Sequence, residues 1–366
     1  MILKRISILN FKNIQQADIS FSPGMNCFFG NNGMGKTNLL DAVYYLSFCK
    51  SHLNAADSQL VMHNHEVCVL QGNYECEGRD ENILCAIRPG HKKQFSRNKK
   101  EYDRLSEHIG LLPIVMVSPA DSELVRGGSG ERRRLLDMII SQHNRKYLYT
   151  LIHYNKILQQ RNALLRNRAS DPSLYEVIEM QLELYGMELY KMRREMTESF
   201  LPLFKSCYKN IGGSAEEVDI AYISQMERGS LAKDLAESRE RDMKLGFTSC
   251  GVHKDELEMK LGNSLIRRIG SQGQTKTFLI ALKLAQFIFL KQKGETTPLL
   301  LLDDIFDKLD AERVERIVRL VNDPSFGQIF ITDTNRKYLD LILLYVGAPH
   351  ELFKVENGAV GSIGRS

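Results

Sequence analysis

The chain has 366 residues, of which 43% are hydrophobic and 26% charged, with a formal net charge of +4. That length implies two lobes, or one domain carrying a large insertion, and the composition is ordinary for a soluble globular protein. Seven scattered cysteines with no CxxC pair argue against a disulfide framework and fit a reducing compartment. His63, His65 and Cys68 have no second half of a zinc site. No run reaches the roughly 18 apolar residues of a membrane helix, and the opening lacks a signal-peptide pattern. A soluble, cytoplasmic protein without a membrane partner is expected.

Residues 2–9 alternate apolar and polar, as in a half-buried strand, and Asn10-Phe11-Lys12-Asn13 breaks the pattern. A second alternation over Ile19 to Phe21 ends at Ser22-Pro23-Gly24, and Met25 to Phe29 forms a short buried strand. A glycine-rich loop follows, then a helix pattern over Thr37 to Leu46. Strands return between about 60 and 104, with a turn at Asn98-Lys99-Lys100, and the apolar run Leu111 to Val117 reads as another.

After Val125 the period changes. From Glu131 to Arg168 apolar residues fall at helical spacing. Asp171-Pro172 starts a second helix that the sequence carries to about Phe200, with Pro202 bending or ending it. From Gly246 strands and helices alternate again: loop and helix over Gly270 to Leu290, an apolar strand from Pro298 to Asp304, a helix over Ala311 to Val321, and a buried strand over Gln328 to Thr332. Wholly apolar strands imply a parallel sheet covered on both faces. The expected fold is α/β: a P-loop lobe split in sequence (1–124 and 246–366) with an inserted, mainly helical lobe (125–245).

Gly30, Asn31, Asn32, Gly33, Met34, Gly35, Lys36 and Thr37 match GxxxxGK[ST], with a strand before and a helix after. Glycines let successive backbone N–H groups turn toward phosphate oxygens, and the helix N-terminus adds partial positive charge. Lys36 suits the β- and γ-phosphates, and the Thr37 hydroxyl suits Mg²⁺. Leu299 to Leu302 lead into Asp303 and Asp304. Asp303 suits a Mg²⁺ ligand, and Asp304 a residue that orients and polarises the attacking water. A strand merely ending in polar residues competes with this reading until the phosphate loop is considered.

These motifs resemble the ABC-ATPase superfamily, and within it the SMC and RecF-type ATPases. The likeness lies in Asn10 to Asn13 before the phosphate loop, Asn38-Leu39-Leu40-Asp41-Ala42-Val43 after it, and the signature-like Ser271, Gln272, Gly273 and Gln274. Phe306-Asp307-Lys308-Leu309-Asp310 is similar to the family D-loop. Ser118-Pro119-Ala120-Asp121, Arg126-Gly127-Gly128 and Gly251-Val252-His253-Lys254-Asp255-Glu256 resemble RecF-type segments. The resemblance implies ATP and Mg²⁺ as cofactors, with Lys36 and Asp304 catalytic. It also implies a head-to-tail homodimer in which the signature residues reach the partner's nucleotide. Lys12 and Asn13 either approach the phosphates or base of the nucleotide on their own subunit's phosphate loop or form a solvated strand end. No switch histidine follows Ile331-Thr332-Asp333-Thr334, Asp304 stands where many relatives have Glu, and no glutamine occurs near Ser118 for a Q-loop. Slow, DNA-stimulated hydrolysis is therefore expected, and His253 has either a functional or a structural role.

From Arg126 to Ser170 there are ten Lys/Arg and two Asp/Glu, and from Arg88 to Arg104 seven and two. Such density suits a polyanion, although most charge runs are simply solvated. The candidate DNA contacts are Arg132, Arg133, Arg134, Arg145, Lys146, Arg161, Arg166 and Arg168, with Lys92, Lys93, Arg97, Lys99 and Lys100. The resemblance implies a DNA repair and replication ATPase acting on duplex, single-stranded or gapped DNA with recombination mediators and a recombinase. The alternative is an ABC-type ATPase energising a non-DNA partner.

Overall fold

The structure, a computed structural model, describes residues 1–169, 171–213, 216–307, 309–334, 336–345 and 349–365. The chain divides into two compact units, Met1–Ser122 with Cys207–Gly213 and Gln272–Ser366, and Glu123–Ser206 with Ser214–Ser271.

Two six-stranded sheets build the first unit. In one, Ile114–Val117, Leu299–Asp303, Ile329–Asp333, Met25–Phe29 and His350–Glu356 lie parallel in that spatial order, and Ala359–Arg365 closes the edge antiparallel. These strands are almost continuously apolar because both faces are covered. Phe21, Phe28, Phe330 and Phe353 cluster on one face, with Phe28 and Phe353 stacked at 4.9 Å and Phe21 edge-on to Phe330 at 5.0 Å. The other sheet is antiparallel and contains the two N-terminal strands, Ile2–Phe11 and Ile14–Ser20. Its Asn98-Lys99 turn has both residues at positive φ, as a two-residue hairpin with Arg97 opposite Lys100 requires. Buried Gln328 staples the two sheets: its amide donates to the carbonyls of Leu3 and Ser22, and its oxygen accepts from the Leu3 amide at 2.7 Å.

The second unit is mainly helical. The periodic stretch expected over Glu131 to Arg168 is two helices, Ser129–Ser141 and Arg145–Arg166, because Asn144 breaks the pattern and caps the second through the Tyr147 amide. The next helix starts at Pro172 as expected, but it does not stop near Phe200. It runs through Pro202 to Gly212. Proline deprives the Glu198 carbonyl of its helical donor, yet the turns beyond bury Phe204, Cys207, Tyr208 and Ile211, and that burial outweighs one lost hydrogen bond. Residues 246–271 also depart from expectation: they belong to the second unit. The strand Glu256–Leu261 pairs antiparallel with Val218–Ile223, which holds this segment beside the inserted helices rather than in the parallel sheet. Among the described residues no helix is long and apolar enough to cross a membrane.

Each unit packs a neutral histidine in the same way, fully buried at His108 and partly buried at His253. His108 Nε2 donates to the Leu46 carbonyl at 2.7 Å while Nδ1 accepts from the Tyr102 hydroxyl at 3.0 Å. His253 Nε2 donates to the Thr248 carbonyl at 3.0 Å, and Nδ1 accepts from Tyr154 at 2.8 Å. His253 is therefore a packed structural histidine. Burial pushes both rings down to about 4, opposed by the carbonyl hydrogen bonds. The unfolded chain then binds more protons than the folded one between the ordinary histidine pKa and about 4, so stability falls as pH drops through that window. Thermal unfolding should show Tm declining from pH 7 to pH 4, and His108→Gln should remove about one proton from the slope. An unchanged slope in that variant would mean that His108 is not buried neutral.

Candidate functional site

The parallel register places the site. Asp303 lies opposite Thr332, Asp333 opposite Phe29, and Leu302 opposite Val117. The strand ends leading to the phosphate loop, the acidic pair and Ser118 therefore share one edge of the sheet, where open α/β sheets bind ligands.

At that edge the backbone turns sharply from Phe29 into the helix Lys36–Phe48. Gly35 has φ 111°, and a Cβ there would meet the Asn13 side chain at 3.0 Å, so the position needs glycine. At Gly30 a Cβ would sit 2.2 Å from the Val355 carbonyl oxygen. Asn13 braces the loop: its amide donates to the Gly33 carbonyl at 3.3 Å, and its oxygen accepts from Asn38 at 2.7 Å. Lys36 lies across the turn, donating to the carbonyls of Gly30 (2.6 Å) and Asn31 (3.0 Å). Burial lowers the pKa of its ammonium, while Asp304, Asp303 and Asp333 act in the opposite direction.

Thr37 Oγ1 donates to the carboxylate of Asp303, 2.9 Å from one oxygen and 3.0 Å from the other, and Thr332 Oγ1 donates to it at 2.6 Å. Burial raises the Asp303 carboxyl above its usual range; the two threonines and Lys36 pull it down, and the neighbouring Asp304 charge raises it further. A hydroxyl and a carboxylate side by side at a phosphate-binding turn form an oxygen donor set that fits Mg²⁺. Asp304 sits at φ 49°, with its amide donating to the Thr332 carbonyl at 3.1 Å, and its side chain is partly exposed. This left-handed conformation, uncommon for a residue other than glycine, ends the strand at the second acid. Thr332, which organises both acids, was visible in the sequence only as part of Ile331-Thr332-Asp333-Thr334 and carried no assigned role.

Ser271 directly precedes the helix Gln272–Lys293, so the signature residues Gln272, Gly273 and Gln274 form its first turn. The D-loop segment packs on this turn. Lys276 donates to the Asp307 carbonyl, and a Cβ on Gly273 would touch Arg313 at 3.0 Å. Asp310 caps the helix Ala311–Val321 through the Arg313 amide at 2.8 Å. Lys308 lies outside the described residues. Lys12 pairs with the buried Asp41 at 2.6 Å rather than ending a solvated strand.

The basic candidates separate by burial. Arg161 is wholly buried, bonded to Glu179 at 3.0 Å and Asp242 at 2.7 Å. Arg132 is buried against Glu256 at 2.7 Å. Both are corrected to structural ion pairs, because a side chain enclosed by carboxylates has no face left for a phosphate. Arg133 is half-buried and donates to the Asp255 carbonyl at 2.6 Å, Arg97 is bound in a fork by Glu81, and Lys93 bonds Asp57 and the Cys49 carbonyl. Arg134, Arg145, Lys146, Arg166, Arg168, Lys92, Lys99 and Lys100 are exposed. Among the described residues no cluster of three His, Cys, Asp or Glu could hold a metal.

A phosphate loop, an acidic strand end stapled to it, and a signature turn packed on a D-loop define an ABC-type ATPase head. The comparisons agree. Residues 2–351 match the RecF/RecN/SMC N terminal domain family. The chain is 65% identical over 360 residues to the DNA replication and repair protein RecF of Parabacteroides distasonis, covering 98% of this chain and 99% of that one. It is 56% identical to RecF of Bacteroides thetaiotaomicron, over all of this chain and 99% of the relative. The chain therefore belongs to the RecF family. The solved structure of the recombination mediator protein RecF with ATP, in the RecFOR pathway, superposes with TM-score 0.88 at 28% identity, covering 99% of each chain. An SMC head bound to the C-terminal winged-helix domain of ScpA shares the fold with TM-score 0.60.

Asp303→Asn keeps the shape of the strand end and removes its charge. We expect a folded protein whose ATP turnover drops by about 100-fold or more, measured as phosphate release across a Mg²⁺ titration. Wild-type turnover in this variant would refute the role given to Asp303.

Proposed function

We propose that this chain is an ATP-binding DNA repair and replication protein, an ABC-type ATPase that uses ATP as a switch on DNA. The observation that carries the reading is the Thr37–Asp303–Thr332 constellation beside the phosphate loop, on a fold similar over its whole length to RecF solved with ATP. Energising a non-DNA partner is not favoured, since the relatives are DNA replication and repair proteins.

Backbone N–H groups of the phosphate loop and the start of the helix Lys36–Phe48 face the phosphates, and Lys36 leaves its carbonyl partners to bind the β- and γ-oxygens. Thr37 and Asp303 would hold Mg²⁺, which supplies charge stabilisation for phosphoryl transfer. Asp304, freed from the buried site by its backbone conformation, orients the attacking water and accepts its proton. An aspartate reaches less far than a glutamate, which supports slow hydrolysis; stimulation by DNA is part of the switch reading.

Two copies associate head to tail, so Ser271, Gln272, Gly273, Gln274 and the helix that follows meet the partner's γ-phosphate, with Asp310 near the same junction. DNA, whether duplex, single-stranded or gapped, lies on the exposed basic residues, chiefly Arg145, Lys146, Arg166, Arg168, Lys92, Lys99 and Lys100. The cytoplasm is the compartment, and recombination mediators and a recombinase are the protein partners.

Fluorescence anisotropy on duplex, single-stranded and gapped DNA tests this reading. Binding should tighten with ATP–Mg²⁺ and weaken steeply with salt, and Lys36→Ala should lose both the ATP effect and ATP-dependent dimerisation. No DNA binding at low salt with ATP present, or full ATP-dependent dimerisation by Lys36→Ala, would overturn it.

A further inference from the structure

The helix that begins with the signature turn carries a lysine in an apolar setting. Lys283 lies eleven residues beyond Gln272, roughly 16 Å along the axis, and its side chain is 2% exposed. Its neighbours Phe278, Leu279, Ile280, Leu282, Leu284 and Phe287 are buried hydrophobics. A leucine or methionine would fill this position without the cost of desolvating a charge, so an ammonium here is poorly explained by stability. A directional contact that fixes how the helix sits explains it better.

The contact is Asp121, 2.7 Å away. Asp121 follows the edge strand Ile114–Val117, and its second oxygen accepts from the Ser118 amide at 2.8 Å and faces His52 Nε2 at 3.6 Å. His52 Nε2 also lies 3.1 Å from Ser118 Oγ. The His52 amide donates to Asp41 at 2.7 Å, and Asp41 accepts from Ser51 Oγ at 2.7 Å and from Lys12 at 2.6 Å. Asp41 stands on the phosphate-loop helix. A largely buried chain of ion pairs and hydrogen bonds thus runs from that helix, through the bend after the edge strand, to the signature helix. This bend is where the sequence lacks the expected glutamine.

We propose that Lys283 and Asp121 are positioning residues that set the axial position and rotation of the signature helix relative to its own phosphate loop. Apolar packing alone is non-directional and tolerates a slide of the helix, whereas an ion pair bonded at both ends does not. Burial alone would raise the Asp121 carboxyl, but Lys283 and His52 hold it down to about 2, in keeping with the 2.7 Å contact that braces the helix. The proposal rests on the two-subunit reading, because the signature turn acts on the other copy's nucleotide.

The test uses the full chain as wild type, Lys283→Met, Lys283→Arg, Asp121→Asn and the double variant Lys283→Met/Asp121→Leu. Three quantities are measured: binding of a fluorescent ATP analogue to the dilute monomer, ATP-dependent dimerisation by sedimentation, and kcat at saturating ATP–Mg²⁺. In Lys283→Met and Asp121→Asn we expect analogue affinity within about twofold of wild type, with dimerisation and kcat lowered by about tenfold or more. Lys283→Arg should recover part of both. The double variant should fold but remain defective, which separates positioning from the loss of a buried partner. Asp121→Asn, which preserves shape, decides the matter if Lys283→Met does not fold. Wild-type dimerisation and kcat in folded single variants would overturn the proposal, as would a parallel loss of monomer nucleotide binding, which marks a general structural defect. If wild type itself does not dimerise with ATP, the two-subunit reading fails, and this inference fails with it.

Discussion

A carboxylate buried at a strand end must find donors or give up its charge, and the head is organised around how Asp303 meets that demand. One donor, Thr332, comes from the neighbouring strand, and the other, Thr37, comes from the helix after the phosphate loop. The pair fixes the register of Leu299–Asp303 against Ile329–Asp333 and sets the distance from that sheet to the loop. A slip of one residue would turn Asp303 to the opposite face and replace its donors with apolar side chains. The carboxylate proposed to hold Mg²⁺ is thus also the one that indexes the sheet. The same alignment brings Ser118 and Asp333 to this edge.

Chemistry carried by contiguous residues was legible in the sequence. The phosphate loop announced itself in the spacing of Gly30, Gly35, Lys36 and Thr37, although what crowds its glycines, Val355 at Gly30 and Asn13 at Gly35, lies elsewhere in the chain, and the apolar strand ending in Asp303 announced both its burial and its polar terminus. Although the capping of its first turn by Asp310 was not assigned, the helix Ala311–Val321 was visible in the sequence. Features decided by tertiary packing were not. Pro202 signals a helix end on local grounds, and only the burial of Phe204, Tyr208 and Ile211 reverses it. Residues 246–271 read as a return to the ATPase lobe because nothing local shows that Glu256–Leu261 has its partner in Val218–Ile223.

The basic stretch was legible as a density of charge but not as a surface. Its arithmetic gives no sign that Arg161 is enclosed by Glu179 and Asp242, or that Arg132 answers Glu256, because those acids lie far along the chain. Arg193 behaves in the same way, wholly buried among Tyr147, Asp137 and Asp255. Part of the positive charge of the inserted unit therefore forms a polar core. Only the remainder faces outward, and the charge offered to a polyanion is smaller than the sequence count.

The phosphate loop also has a neighbour from the far end of the chain. The Gly358 amide donates to the Met34 carbonyl at 2.9 Å, the Asn357 amide rests on the Met34 sulfur, and the Val355 carbonyl walls off Gly30. During synthesis the motif emerges from the ribosome well before the residues that make these contacts. The nascent chain holds the phosphate-loop motif without this wall until residues 350–365 have been made. Support of the loop is thereby tied to completion of the hairpin that spans residues 350–365, and a chain cut short within it leaves the loop without these contacts.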